Sequence, residues 1–249
     1  MPDSNSRNPD SSRHEWFVTT HWSVVQAAGR LDSKRAREAW EALGRTYWYP
    51  LYAFVRRLGH GPHDAEDLVQ GFFAQALAKN YPGQADQAKG RFRSFLLLAL
   101  KRFVANEWDR KRAWKRGGAT PALSLDSLTA EQRYALEPAD QLSAERLFER
   151  RWAVTLLENV VGKLRTEQLE AGRGEVFAAL QECLTGDGRG AGYHRIAGKL
   201  GMSEGAVKVA VHRLRRRYRE LLEAEIANTV GSLEEVDDER RYLLSVMSQ

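Results

Sequence analysis

The sequence predicts an all-α protein: two small helical domains, a helical bundle and a helix-turn-helix domain, joined by a flexible linker. Three observations carry this. Apolar residues recur at spacings of three and four along most of the 249-residue chain, the period of a helix with one buried face. Alternating β-branched runs, which mark half-buried strands, are nearly absent. Residues 117–142 contain GGATPALSLDSL and two prolines, Pro121 and Pro138, and this composition breaks the helical period.

Residues 1–14 (MPDSNSRNPDSSRH) form a polar tail expected to be disordered, and it lacks the apolar segment of a secretory signal. The first domain is assigned to 15–116. A helix is expected over 16–28, with Thr19 or Thr20 as its cap. Over 35–59, Ala39, Leu43, Tyr47, Leu51, Phe54, Val55 and Leu58 repeat at helical spacing, and Pro50 is expected to kink or interrupt the helix. HGPH at 60–63 is a turn. DAEDLVQGFFAQALAK at 64–79 is a helix opened by acidic residues, with Leu68, Phe72 and Leu77 inward. Residues 80–90 read as a polar loop, and 91–116 as a long helix that begins apolar and ends basic. The linker, 117–142, is expected to hold at most short helical turns.

The second domain is assigned to 143–229. Helices are expected over 143–170 and 174–184, then a flexible loop, GDGRGAG, at 186–192. The stretch YHRIAGKLGMSEGAVKVAVHRLRRRYRELL follows. It has the build of a helix-turn-helix, whose second helix enters the DNA major groove. Ile196, Ala197 and Leu200 face inward, Gly201 makes the turn, and Met202 packs beneath it. Ser203 is the N-cap and Glu204 favours the positive helix end. Val207, Val211, Leu214, Tyr218 and Leu221 form a buried stripe, while Lys208, His212, Arg215 and Arg219 form a basic stripe on another face. Arg213, Arg216 and Arg217 flank it, placed for phosphates. Residues 230–249 are a helical extension, acidic then apolar.

A second basic site lies at 101–116, KRFVANEWDRKRAWKR, where seven basic residues outweigh Glu107 and Asp109. Aromatics interleaved with cations suit unpaired nucleic acid, where a ring stacks on a base for about 1–3 kcal/mol. Phe103 is assigned to the core. Trp108 and Trp114 stay open between core and stacking.

Composition excludes other classes. The net charge is +5, moderately basic, so local clustering outweighs the total. One cysteine, Cys183, on an apolar helical face, permits no disulfide framework and no cysteine-based zinc site. FLLLAL at 95–100 is the longest apolar block, short of the ~18 residues of a membrane span. GDGRGAG lacks the Lys-Ser/Thr ending of a phosphate-binding loop. His60 and His63, near Asp64 and Glu66, lack further ligands for a metal. No metal, cofactor, membrane association or enzymatic activity is expected, and the expected location is cytoplasmic.

The order of motifs (DAEDLVQGFFAQAL, then FRSFLLLALKRFVANEWDRKR, a tether, then IAGKLGMSEGAVKVAVHRLRRRYRELL) resembles the extracytoplasmic-function sigma factors of the sigma-seventy family. The resemblance spans both domains. ERLFERRWAVTLLENV and EEVDDERRYLL look like a branch with an extended second domain. The resemblance implies that the 64–79 helix binds core RNA polymerase at its clamp coiled coil through Asp64, Glu66, Asp67, Gln70 and Phe73. It implies that 91–116 recognises and melts the minus-ten element through Arg102, Asn106, Trp108, Arg110 and Arg112. It assigns the minus-thirty-five element to the helix-turn-helix: Glu204, Gly205, Lys208, His212 and Arg215 toward bases, Ser203, Arg213 and Arg216 toward phosphates. The implied partners are bacterial core RNA polymerase and promoter DNA. An anti-sigma factor or a regulatory kinase acting on the serines and threonines of tail and linker remains open.

Two positions depart from the family pattern. Gly71 stands where a glutamate usually follows the glutamine of the polymerase-binding helix. Either this is neutral, or it weakens polymerase affinity. Arg102 replaces a frequent asparagine and makes the melting helix more basic. The rival to the polymerase reading is a stand-alone helix-turn-helix regulator. It accounts for the second domain but not for the acidic helix followed by the basic aromatic one.

Overall fold

The computed structural model describes residues 21–30, 34–113, 125–137, 142–184 and 191–248; the side chains of 110–113, 125–129, 191 and 233 fall outside that description. The 1–14 tail, the Thr19 or Thr20 cap, Trp114, Pro121, Pro138 and most of the GDGRGAG loop also lie outside it. The described residues contain helices and no strand: α1 (Trp22–Ala28), α2 (Lys34–Arg57), α3 (Pro62–Ala78), α4 (Tyr81–Gln84), α5 (Phe92–Ala113), α6 (Leu125–Ala135), α7 (Ala144–Glu170), α8 (Gly174–Leu180), α9 (Ala191–Leu200), α10 (Glu204–Ala227) and α11 (Val236–Met247). The all-α class stands.

Three expectations are corrected. Pro50 does not interrupt its helix: α2 runs through it. A mid-helix proline costs about 3 kcal/mol, and here Tyr47, Leu51, Tyr52, Phe54 and Val55 are fully buried on either side, so packing offsets the lost hydrogen bond. The 80–90 segment is more ordered than a polar loop. Asn80 takes left-handed backbone (φ 48), its side chain accepts the Gly83 N–H, and its amide donates to the Gly29 carbonyl at 2.9 Å. The short α4 and a 3-10 turn at Gln87–Lys89 follow. Finally, α6 is an 11-residue helix inside the segment read as linker. Ala130 is buried. Glu131 accepts from the Tyr52 hydroxyl at 2.7 Å and from Arg56 Nε and Nη2 at 2.9 and 2.7 Å. Those partners lie in α2, so the composition of 117–142 alone did not reveal the helix.

The buried apolar residues fall into two clusters. The larger joins α1, α2, α3 and α5 to Ala130, to α7 between Ala144 and Val160, and to Ile226 and Leu243. The smaller is built from Leu164, Phe177, Leu180, Cys183, Ile196, Ala197, Val207, Val211 and Leu214. Helix α7 therefore feeds one core with its first two thirds and the other with its end. It packs along α2 and also meets α10 and α11.

Candidate nucleic-acid and polymerase interfaces

The α9–turn–α10 unit, expected to be a helix-turn-helix, assembles as its local sequence dictates. Ile196 and Ala197 are buried on α9. Gly201 takes φ +62, a conformation that glycine adopts without a Cβ clash, and the Met202 N–H closes the turn on the Ala197 carbonyl at 3.0 Å. Ser203 Oγ accepts the Ala206 N–H at 3.2 Å and caps α10. Val207, Val211 and Leu214 are buried, while Tyr218 and Leu221 are half-buried and touch both clusters.

Ser203, Glu204, Gly205, Lys208, His212, Arg213 and Arg216 are exposed together along the outer side of α10. Glu204 is held by His194 Nδ1 at 2.8 Å, and Arg216 Nε donates to Glu220 at 3.1 Å. Two basic residues behave otherwise. Arg215 is half-buried, and its Nε donates to the Cys183 carbonyl at 2.9 Å, so it ties α10 to the end of the α8 segment. Arg217 forks onto Glu167 of α7 at 2.8 and 2.7 Å and also reaches Glu220; the Glu167 hydrogen bonds raise its pKa. It braces α10 on α7. One outward residue escaped the sequence reading: Val209 is 51% exposed between Lys208 and His212. The signal was available, because Val209 falls off the 207–211–214 spacing.

On α5, Arg102 and Asn106 are exposed one turn apart and share a side of the helix. Trp108 is also exposed, at 57%, but residues two apart on a helix point to nearly opposite sides. Trp108 instead meets the His60 ring edge-on at 6.5 Å. Phe103 is buried against Phe72, ring centroids 5.8 Å apart. Position 110 continues the Arg102–Asn106 register; the Arg110 and Arg112 side chains lie outside the described residues.

On α3, Asp64, Asp67 and Gln70 are exposed and Phe73 is half-buried beside Phe72. Glu66 does not join them: it is 2% exposed and accepts from Gln70 Nε2 at 3.1 Å. Leu77, expected inside, is 49% exposed. At spacings of three and four it continues the Asp67, Gln70 and Ala74 side, so the outward stripe is acidic at one end and apolar at the other.

Gly71 has a packing reason. A Cβ there would stand 3.2 Å from Phe103 Cζ, and Phe103 has little room to give inside its aromatic cluster. Gly71→Glu is therefore expected to lower the urea midpoint, with Gly71→Ala near neutral, because about 1 kcal/mol of helix propensity opposes the contact. A glutamate variant of unchanged stability that binds polymerase more tightly would return Gly71 to the reading of a lost carboxylate.

Among the described residues, no group of three or more His, Cys, Asp or Glu is placed to hold a metal ion, and no helix is long and apolar enough to cross a membrane. The chain is 26% identical to the "ECF RNA polymerase sigma factor SigE" of Mycolicibacterium smegmatis over 238 residues, 90% of this chain and 80% of that protein. The identity is modest but spans both halves and supports the sigma-factor family. No family model matches the chain, and no solved structure matches it.

Proposed function

We propose that this chain is a promoter-specificity subunit of bacterial RNA polymerase that binds core enzyme and promoter DNA and itself performs no covalent chemistry. One observation carries the reading: an outward α3 stripe, an exposed basic side of α5 and a capped helix-turn-helix occur in the same chain, in the order the sigma-factor resemblance requires. In this reading Asp64, Asp67, Gln70 and Phe73 meet polymerase with Leu77, and Glu66 shapes α3 from inside. Arg102 and Asn106, with Arg110 and Arg112, take the minus-ten strand, and Trp108 stacks from the other side. Glu204, Gly205, Lys208 and His212 face bases of the minus-thirty-five duplex. Ser203, Arg213 and Arg216 hold phosphates, and Arg215 positions the helix. The test is single-round transcription with purified core polymerase across a promoter library. Promoter-dependent initiation only when the chain is added supports the reading. DNA binding without any polymerase binding points to a stand-alone regulator instead.

Val209 adds a specific expectation. An exposed valine on a groove-facing side suits the C5-methyl of thymine, a contact worth about 0.8 kcal/mol per buried carbon. Val209→Ala is expected to weaken minus-thirty-five binding about fourfold. Replacing the contacted thymine by uracil should weaken wild type equally and leave the variant unaffected. If the two changes are additive at every thymine, Val209 touches no methyl group.

A further inference from the structure

A cavity of about 400 Å³ opens between α2, α6 and α7, at the lower end of the ~300–1,000 Å³ typical of small-molecule sites. Nothing in the polymerase and promoter reading uses it. Helices α2 and α7 both feed the larger core, so two of its walls are held by packing.

Two observations on α7 mark the cavity as more than a packing fault. Asn159 is 9% exposed and lines it, yet its side-chain amide has no hydrogen-bond partner among the described residues. A buried amide left unpaired costs stability. One turn on, Gly162 lines the same cavity from the interior of a 27-residue helix. A Cβ there would meet nothing within 4 Å. Alanine would therefore fit and strengthen the helix, so packing within the chain gives glycine no advantage. The space it leaves adjoins the unpaired amide.

The other walls supply charge. Arg133 of α6 lies over the Tyr49 ring of α2 at 4.1 Å. It is exposed, and no carboxylate pairs with it among the described residues. Arg45 of α2 is exposed, and its partner Glu41 stands 4.0 Å away in an open pair one turn apart, an arrangement worth little. Glu158, next to Asn159, is exposed and also lines the cavity.

These groups sort by what they can hold. An asparagine amide pairs bidentately with adenine, accepting from N6–H and donating to N7. Guanine presents two acceptors on that edge, O6 and N7, so one of the two bonds is lost with it. A carboxylate accepts from ribose hydroxyls. The planar guanidinium fork of arginine matches phosphate oxygens.

We propose that the α2–α6–α7 cavity binds an adenine mononucleotide, with Asn159 on the base, Glu158 on the ribose, Arg45 and Arg133 on the phosphate, and Gly162 leaving room for the ring. The site stands on the cavity's own geometry and not on the polymerase reading. Its α2 and α7 walls belong to one core, so the site is present in the free chain.

The test is calorimetric titration of the full-length chain, without polymerase or DNA, with AMP, GMP, adenosine and inorganic phosphate. AMP should bind with a Kd below about 1 mM and about tenfold more tightly than each of the other three. Asn159→Leu should weaken AMP binding about tenfold and abolish the preference over GMP. Arg133→Gln should bring AMP close to adenosine. Gly162→Leu should fill the cavity, so that AMP binding is lost while helicity is retained and the urea midpoint does not fall. It is the deciding variant if Asn159→Leu loses helicity. Failure of AMP to bind overturns the site and leaves a hydrated recess. Equal affinity for AMP and inorganic phosphate overturns it too, because surface arginines alone would explain that. So does undiminished AMP binding by Gly162→Leu.

Discussion

Replacing Trp152 by alanine is expected to lower the unfolding free energy by about 3–5 kcal/mol, the range for deleting a large buried aromatic side chain. Trp152 is 1% exposed on α7 and belongs to the larger cluster. The Arg93 guanidinium rests over its ring, so the truncation removes both packing and the surface on which a buried cation lies. Its indole N–H is buried without a hydrogen-bond partner. That distinguishes a second variant: Trp152→Phe discards an unpaired donor, worth about 1–3 kcal/mol, against a modest loss of volume, and should stay within about 1.5 kcal/mol of wild type. Urea denaturation followed by far-ultraviolet circular dichroism measures both. Equal losses in the two variants would mean that the indole N–H has a partner and that volume alone matters at this position.

What could be read from the sequence, and what could not, divides by the reach of the interactions. The local build of α9, the turn and α10 was legible almost residue by residue, because Gly201, the Ser203 cap and the Val207–Val211–Leu214 stripe act within a few positions of one another. The roles of Arg215 and Arg217 were not. Periodicity places both near an outward basic side, but a carbonyl 32 residues away and a carboxylate 50 residues away claim them. The same holds for the first domain. The run 64–79 announces a helix with an acidic opening, yet Glu66 is turned inward and Leu77 outward. Helix α6 is invisible to composition because its hold on Tyr52 and Arg56 of α2 is tertiary. Pro50 shows the converse: the local penalty was correctly identified, but the burial around it prevails. The pairing of Glu239 with Arg91 and Arg93 joins residues nearly 150 positions apart, and no local signal marks it within an acidic stretch that otherwise resembles a solvated tail.

That contrast sharpens the expected result for α3, where the exposed and buried carboxylates make separable predictions. Asp67→Lys is expected to weaken core-polymerase affinity by about 30-fold, some 2 kcal/mol, because in the proposed reading the Asp67 carboxylate attracts a basic partner surface, and a lysine there both removes that attraction and adds repulsion. Asp67 is exposed, so helicity and the urea midpoint should stay at wild-type values. Glu66→Ala should do the reverse: it opens space beside Ala65 and Val69 in the core and lowers stability, while any loss of polymerase affinity should follow the fraction unfolded. Leu77→Ser tests the far end of the stripe. Leu77 is 49% exposed near the end of α3, so serine there should cost only a few tenths of a kcal/mol of helix propensity, and a loss of polymerase binding beyond that would place Leu77 in the interface. Titrating fluorescently labelled core polymerase against the three variants decides the matter. If Asp67→Lys and Leu77→Ser both bind as wild type, the outward side of α3 is not a polymerase surface, and the helix-turn-helix is left to act without one.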